Sequence, residues 1–470
     1  MNLLKAMSDP KLFGPWFKDA ETWSAWRGFV GALFGLPLSE AEATTYRACT
    51  GRSEAPEAAA TEAWLICGRR AGKSFVLALI AVYLACFRDY RQYLAPGERA
   101  TILIIATDRR QARTIFRYIR GLLTEVPMLA RMIERETADE FDLTNRVTIE
   151  VGTSSYRAVR GRTLAAALCD ELAFWPSDTS ASPDYEILDA LRPAMATIPN
   201  GMMLCASSPY ARRGALYDAF QRYHGRDDAP ALVWRAATRT MNPSVPQRLI
   251  DEALERDLPS ASAEYLAEFR SDVESFITRE VVEAAIPRGV VERAPITGIT
   301  YSAFCDPSGG VSDSMTMAIG HRENERLILD ALRERKAPFS PEAAVSEFSD
   351  LLKRYQVSQV SGDRYGGSWP AESFQRYGIT YTPAEKPKNQ IYVDLLPRLN
   401  SGEVELLDVP VLITQLVMLE RRTARGGRDS IDHAPGAHDD VANAAAGVLV
   451  SLQKQPGDYD PGMWARLLDG

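Results

Sequence analysis

Lys73 and Ser74 follow a short loop, Gly68-Arg69-Arg70-Ala71-Gly72, and precede a long apolar run. That order suits a triphosphate. Small residues let backbone N–H groups turn toward phosphate oxygens, and a helix starting there adds its positive end. In such a loop the lysine reaches the β/γ-phosphates and the serine hydroxyl sits on Mg²⁺. The loop is shifted from the usual pattern: Cys67 stands where the first glycine belongs, and Gly68 comes one residue later.

Acids form the second chemical signal. The run LAAALCDELAFW, 164–175, is apolar until Asp170-Glu171. An ATPase with such a loop needs a carboxylate for Mg²⁺, which fits Asp170, and another to orient the attacking water, which fits Glu171. GMMLCA, 201–206, leads into Ser207-Ser208-Pro209. Hydroxyls at the carboxyl end of such a strand face the phosphate crevice of an open α/β sheet, although a plain Ser-Pro turn also fits. In the rear half, Asp306 and Asp363 follow short apolar runs, and Asp439-Asp440 open an alanine-rich segment. Each alone also suits a turn or a helix cap. Three carboxylates after a first strand, after a later strand and on a closing helix form the RNase H arrangement. Their hard oxygens suit Mg²⁺ or Mn²⁺, and two such ions activate water and stabilise the leaving oxygen of a phosphodiester. His433 and His438 flank the last pair.

The elements that must position these residues follow from hydrophobic pattern. Trp64–Cys67 reads as a buried strand and 75–87 as a buried helix. A central strand over 100–107, a helix over 109–123, a short strand over 146–151 and strands ending at Asp170 and Ala206 complete an α/β front half. Aromatic, amphipathic helices precede it, and the segment 36–52 either lies against a nucleotide base or simply packs. Helical sequence fills 245–270. The expected domains are 1–275 and 297–470, joined by a proline-containing connector over 276–296. The rear half reads as strands 298–304, 314–320 and 326–332 in an antiparallel meander, a helix over 341–355, strand 359–362, the segment ITYTPA from 379, a helix over 390–399, a short pair around 404–407 and a helix over 409–422.

Bulk properties set the bounds. The 470 residues imply more than one domain, and 46% hydrophobic with 25% charged residues is a globular composition. No apolar run is long enough for a bilayer span, and charges and prolines interrupt the amino-terminal segment where a signal core would lie. Six scattered cysteines without CxxC spacing read as free thiols in a reducing compartment. A net charge of −8 excludes a uniformly basic surface but not local patches, and 153–162 and 421–428 are arginine-rich and acid-free.

Taken together, CGRRAGKS, LCDE, SSP, FCDPSGG, SGDRYGG and AHDDVANA, in that order over nearly the whole chain, resemble the large subunit of the terminase of tailed double-stranded DNA phages. The resemblance implies an ASCE-type ATPase with a mostly parallel sheet, followed by an RNase H-like nuclease. The implied activities are ATP-driven translocation of double-stranded DNA into a procapsid and cutting of concatemers. It implies ATP with Mg²⁺ in front and two Mg²⁺ or Mn²⁺ ions behind. ATP would be held by Gly68, Arg69, Arg70, Ala71, Gly72, Lys73, Ser74 and Asp170. Tyr46 and Arg52 would stand in for the adenine-contacting glutamine the family often has. Glu171 would be catalytic, and Ser207, Ser208 and Pro209 would couple hydrolysis to movement. The metal set would be Asp306, Asp363 and Asp440, with Asp439 and Asp313 auxiliary; the choice between Asp439 and Asp440 stays open. An arginine near the γ-phosphate would be Arg69 or Arg70 in cis, or Arg157 or Arg160 from a neighbouring subunit. Implied partners are the portal protein, the small subunit and further copies in a ring, a pentamer in the family, although the isolated chain is often a monomer. The implied location is the host bacterial cytoplasm and, transiently, the portal vertex. A helicase-type or repair-type DNA-dependent ATPase fused to a nuclease is the alternative; a decayed DNA-binding scaffold conflicts with the presence of every expected lysine and acid.

Overall fold

A computed structural model describes every residue except 20, 154–160, 176–182, 312, 365–367, 424–428, 435–436 and 454–470. The chain forms two compact units and passes from the first to the second between Val273 and Glu274.

The first unit is built on eight strands: β1 (Glu62–Cys67), β2 (Ala100–Ala106), β3 (Ile133–Glu136), β4 (Glu140–Leu143), β5 (Val147–Thr153), β6 (Thr163–Asp170), β7 (Met202–Ser207) and β8 (Leu232–Ala236). They lie in the order β3-β4-β5-β2-β6-β7-β1-β8. From β5 to β8 every neighbouring pair is parallel, while β3 and β4 add an antiparallel edge. Helices cover such a sheet on both faces, so its strands are apolar throughout, as the wholly buried β2 is. The helix Lys73–Phe87 is apolar on nearly every side and buried from Val76 to Ala85. The helix Arg109–Thr124 instead buries Ile115, Ile119, Leu122 and Leu123 at helical spacing and is capped by the Asp108 carboxylate. The edge strands β3 and β8, and β4 beside β3, were not legible in the sequence.

The second unit carries a six-stranded sheet made of β10 (Tyr301–Asp306), β11 (Met315–Glu323), β12 (Arg326–Arg335), β13 (Gln359–Gly362), β14 (Thr380–Pro383) and β15 (Val404–Glu405). Its order is β14-β13-β10-β11-β12-β15. The meander β10-β11-β12 is antiparallel, as expected, and β13 joins β10 in parallel. The helix Asp440–Ser451 packs on β10 closely enough to need a glycine. A Cβ at Gly447 would stand 2.4 Å from the Phe304 ring. Three sequence expectations change here. The connector over 276–296 contains the helix Arg279–Ala284 and buries Phe276, Ile277 and Val282 in this unit's core. The helix expected over 409–422 stops at Val417. After it β16 (Leu419–Thr423) pairs antiparallel with β17 (Asp429–His433), beside β9 (Val273–Ser275). The "short pair" around 404–407 is one short strand, β15, lying parallel to β12.

Candidate active sites

Three adjacent parallel strands bring the first unit's motifs together. β6, β7 and β1 lie side by side, with Asp170 opposite Ala206 and Ile66 opposite Ser207. Asp170-Glu171, Ser207-Ser208 and the loop after Cys67 therefore emerge at one sheet edge. Lys73 is buried, and its Nζ donates to Ser208 Oγ at 2.9 Å, Cys67 O at 3.1 Å and Gly68 O at 3.4 Å. Glu171 Oε1 lies 3.4 Å from the same ammonium. Its other oxygen accepts from the Ser208 N–H at 3.2 Å and Ser207 Oγ at 3.3 Å. Glu171 reaches them from a left-handed backbone, φ 51°. Such a conformation costs a non-glycine residue about 1–3 kcal/mol and persists only where surroundings impose it. Pro209 is buried beside the serines.

Ser74 Oγ donates to Asp170 Oδ2 at 2.9 Å, so the two expected Mg²⁺ ligands already touch. Gln111, which no sequence pattern singled out, donates its amide to both: 2.9 Å to Ser74 Oγ and 2.8 Å to Asp170 Oδ2. Burial, then the charge of Glu171, pushes the Asp170 carboxyl up to about 6, against the pull of Gln111, Lys73 and Ser74. Its Oδ1 is buried without a hydrogen-bond partner.

The loop itself is pinned from outside. The Trp26 indole donates to Ala71 O at 3.0 Å, Thr238 Oγ1 to Arg69 O at 2.8 Å and Asn242 to Arg70 O at 2.9 Å. Gly72 sits at φ 105°, a conformation open to glycine alone at little cost. Arg69 pairs with Glu264 at 2.9 Å, and Arg70 is exposed. Arg157 and Arg160 lie outside the described residues, and the following Arg162 is paired with Glu150. Tyr46 is buried against Trp234, and Arg52 donates to the Ala229 and Ala231 carbonyls.

In the second unit, Cys305 pairs with Gly362, so Asp306 and Asp363 leave neighbouring parallel strands side by side. The Asp363 N–H donates to Cys305 O at 3.2 Å. The closing helix brings Asp440 to them, its start held by Thr316 Oγ1 on Asp440 O at 2.7 Å. The cap of that helix is supplied from elsewhere: Gln415 Oε1 accepts from the Val441 and Ala442 N–H groups at 2.8 and 2.9 Å. Burial raises the carboxyls of Asp306, Asp363 and Asp440, with acidic neighbours adding to it in each. For Asp440, burial and then Asp439 push the value up to about 6, with Asp313 contributing. Asp440 Oδ2 is buried without a hydrogen-bond partner, and His438 Nδ1 stands 4.0 Å away.

Asp439 differs from its neighbour. Its carboxylate takes the Lys388 ammonium at 2.9 Å and the Tyr392 hydroxyl at 2.9 Å. Lys388 also bonds Asp432 at 3.3 Å. The nearby group Asp432, His433 and Asp439 is thus already served by a cation. Asp313 is exposed, and its carbonyl accepts from Ser308 Oγ at 2.7 Å. Asn443, also missed in the sequence, donates to Asp306 Oδ2 at 2.8 Å and Asp363 Oδ2 at 2.7 Å. Of the arginine-rich segments, 154–160 and 424–428 lie outside the described residues. Arg421 stands over Phe276 and 3.6 Å from Asp429, and Arg422 bonds Glu420. Among the described residues no helix is long and apolar enough to cross a membrane, and all six cysteines are free thiols.

No family model matches the chain, and no curated protein does. Among solved structures it is similar to the large terminase of bacteriophage HK97, at 15% identity and a TM-score of 0.38 over 84% of this chain and 91% of that one. It is similar to the large terminase of a thermophilic bacteriophage, at 12% identity and a TM-score of 0.36 over 83% of this chain and 93% of that one. A third is the large terminase nuclease of thermophilic phage G20c with bound magnesium, at 20% identity and a TM-score of 0.32 over 37% of this chain and 96% of that one. At these TM-scores the likeness gives no residue of this chain a role.

Proposed function

We propose that this chain is a phage terminase large subunit, its first unit an ATPase that drives double-stranded DNA into a procapsid and its second a metal-dependent nuclease that cuts concatemers. One observation carries the reading: each unit gathers its own charged site at strand ends, one around a buried lysine and one around uncompensated carboxylates. The same reading supplies the partners (portal, small subunit, further copies in a ring) and the host cytoplasm. Among the described residues the second unit holds no all-parallel ATPase sheet, so nothing favours a helicase built from two such halves.

In the first unit, Lys73 would exchange the Cys67 and Gly68 carbonyls for phosphate oxygens. Ser74 and Asp170 fit Mg²⁺, because the orphaned Asp170 Oδ1 offers a buried hard oxygen. The ion, when bound, neutralises charge developing on the phosphates. Glu171 orients the attacking water. Ser208 contacts both Lys73 and Glu171, so rearrangement at the phosphate end reaches the end of β7 directly.

In the second unit, Asp306, Asp363 and Asp440 fit divalent ions, whereas Asp439 is kept as a counter-ion for Lys388. We assign Asp440 as the ligand on that difference. Ions there supply an activated water and stabilise the leaving oxygen. The test is a pair of variants of the full chain. Lys73→Ala should lose DNA-stimulated phosphate release and keep Mn²⁺-dependent plasmid cutting; Asp306→Ala should do the reverse. Loss of both activities from one folded variant would sink the two-site reading.

A further inference from the structure

We propose that Asn443 belongs to the metal-binding cluster of the second unit, presenting its amide oxygen to the ion that Asp306 and Asp363 hold. The proposal rests on the nuclease reading above. Asn443 lies one helical turn after Asp440, on the same face, and is fully buried. Its Nδ2 stands 2.8 Å from Asp306 Oδ2 and 2.7 Å from Asp363 Oδ2. Its Oδ1 is buried with no hydrogen-bond partner. An amide oxygen left so costs about 1–3 kcal/mol unless something else takes it.

A half turn of the amide exchanges its two ends, which have nearly the same shape. The oxygen then occupies the position beside both carboxylates. That position has the spacing of a coordination shell. Around Mg²⁺ with ligands at 2.0–2.1 Å, adjacent octahedral oxygens lie about 2.9 Å apart. Side-chain amide oxygens are ordinary ligands of hard cations. As it stands, the one Nδ2 donor bonds both carboxylates.

The experiment is calorimetric titration of Mn²⁺ into the full chain at pH 7.5. Wild type, Asn443→Ala and Asn443→Asp are compared, with Asp306→Ala defining heat that does not belong to this site. Asn443→Ala should bind about 10–100-fold more weakly, the range for residues that orient or complete a metal shell. Asn443→Asp, which keeps an oxygen and loses the donor, should bind at least as tightly as wild type. Its unfolding temperature should rise more on adding Mn²⁺ than that of wild type. A folded Asn443→Ala with wild-type affinity overturns the assignment and leaves the nuclease reading intact. Should Asn443→Ala not fold, loss of Mn²⁺ binding in a folded Asn443→Asp overturns it equally. Wild-type heat no greater than that of Asp306→Ala overturns the nuclease reading together with this assignment.

Discussion

The two acid sites solve opposite electrostatic problems. In the first, Asp170 and Glu171 are accompanied by a buried ammonium and by fixed donors from Ser74, Gln111 and Ser208. In the second, Asp306 and Asp363 share one neutral amide, and the lysine nearby is spent on Asp432 and Asp439. A buried cation among acids can release its protein partners to an incoming polyanion. A buried cluster of acids without one is costly to ionise and gains most from an incoming cation. On the proposed reading, the same residue type marks a phosphate site in one unit and an ion site in the other, and the company it keeps decides which.

The largest effect should come from Glu171→Gln. It keeps the shape but removes the carboxylate proposed to orient the attacking water, and ATP hydrolysis should fall about 10²–10⁴-fold while plasmid cutting persists. Phosphate release and agarose gels measure the two; equal loss of both would erase the contrast. Gln111→Ala tests whether the first site's donors matter. It should raise the Mg²⁺ concentration needed for half-maximal ATP hydrolysis about 10–100-fold, read from an Mg²⁺ titration at fixed ATP. An unchanged midpoint would make Gln111 a bystander.

The acid-only site should respond to pH. Asp440 is raised from 3.8 to about 6, so between those values the folded chain holds a proton that the unfolded chain has released. Stability conferred by this group, without divalent ion, therefore falls as pH rises across that window. Ion binding must displace the protons that the raised carboxyls hold, so Mn²⁺ affinity should climb as pH rises, with Asp440 contributing up to about tenfold per pH unit below about 6 and Asp306 and Asp363 adding to the slope. Calorimetry from pH 5 to 7.5 reads this; a flat profile would contradict the raised carboxyl. The smallest effect concerns the closing helix alone. Gly447→Ala drives a methyl into the Phe304 ring and should cost about 1–3 kcal/mol, visible as a lower unfolding temperature.

The acids at strand ends were legible because an uninterrupted apolar run stops at a charge, as in Leu168-Cys169-Asp170 and Phe304-Cys305-Asp306. Parallel pairing then aligns those ends automatically. The supporting residues were not legible. Gln111, Lys388 and Asn443 are polar residues on helices whose pattern reports only which face is buried, not which distant carboxylate that face meets. The hairpin β3-β4 was missed because each strand has only four residues: IERE is charged and mostly exposed, and EFDL offers only Phe141 and Leu143 as buried apolar positions. The overextended helix at 409–422 failed for a related reason. Leu419-Glu420-Arg421-Arg422 continues a plausible helical surface, and only pairing with Asp429–His433 turns it into a strand. The packing of Tyr46 on Trp234 was likewise not legible, because an aromatic side chain near a nucleotide loop carries no mark of which partner it meets.

The separation of an anion-receiving site from a cation-receiving one is tested most directly by anomalous diffraction from crystals of the full chain soaked with Mn²⁺ and a non-hydrolysable ATP analogue. The account predicts manganese between Asp306, Asp363 and Asp440, and separately beside Ser74 and Asp170 with the nucleotide phosphates on Lys73. Nucleotide bound at the lysine with no manganese among the three rear carboxylates would contradict it.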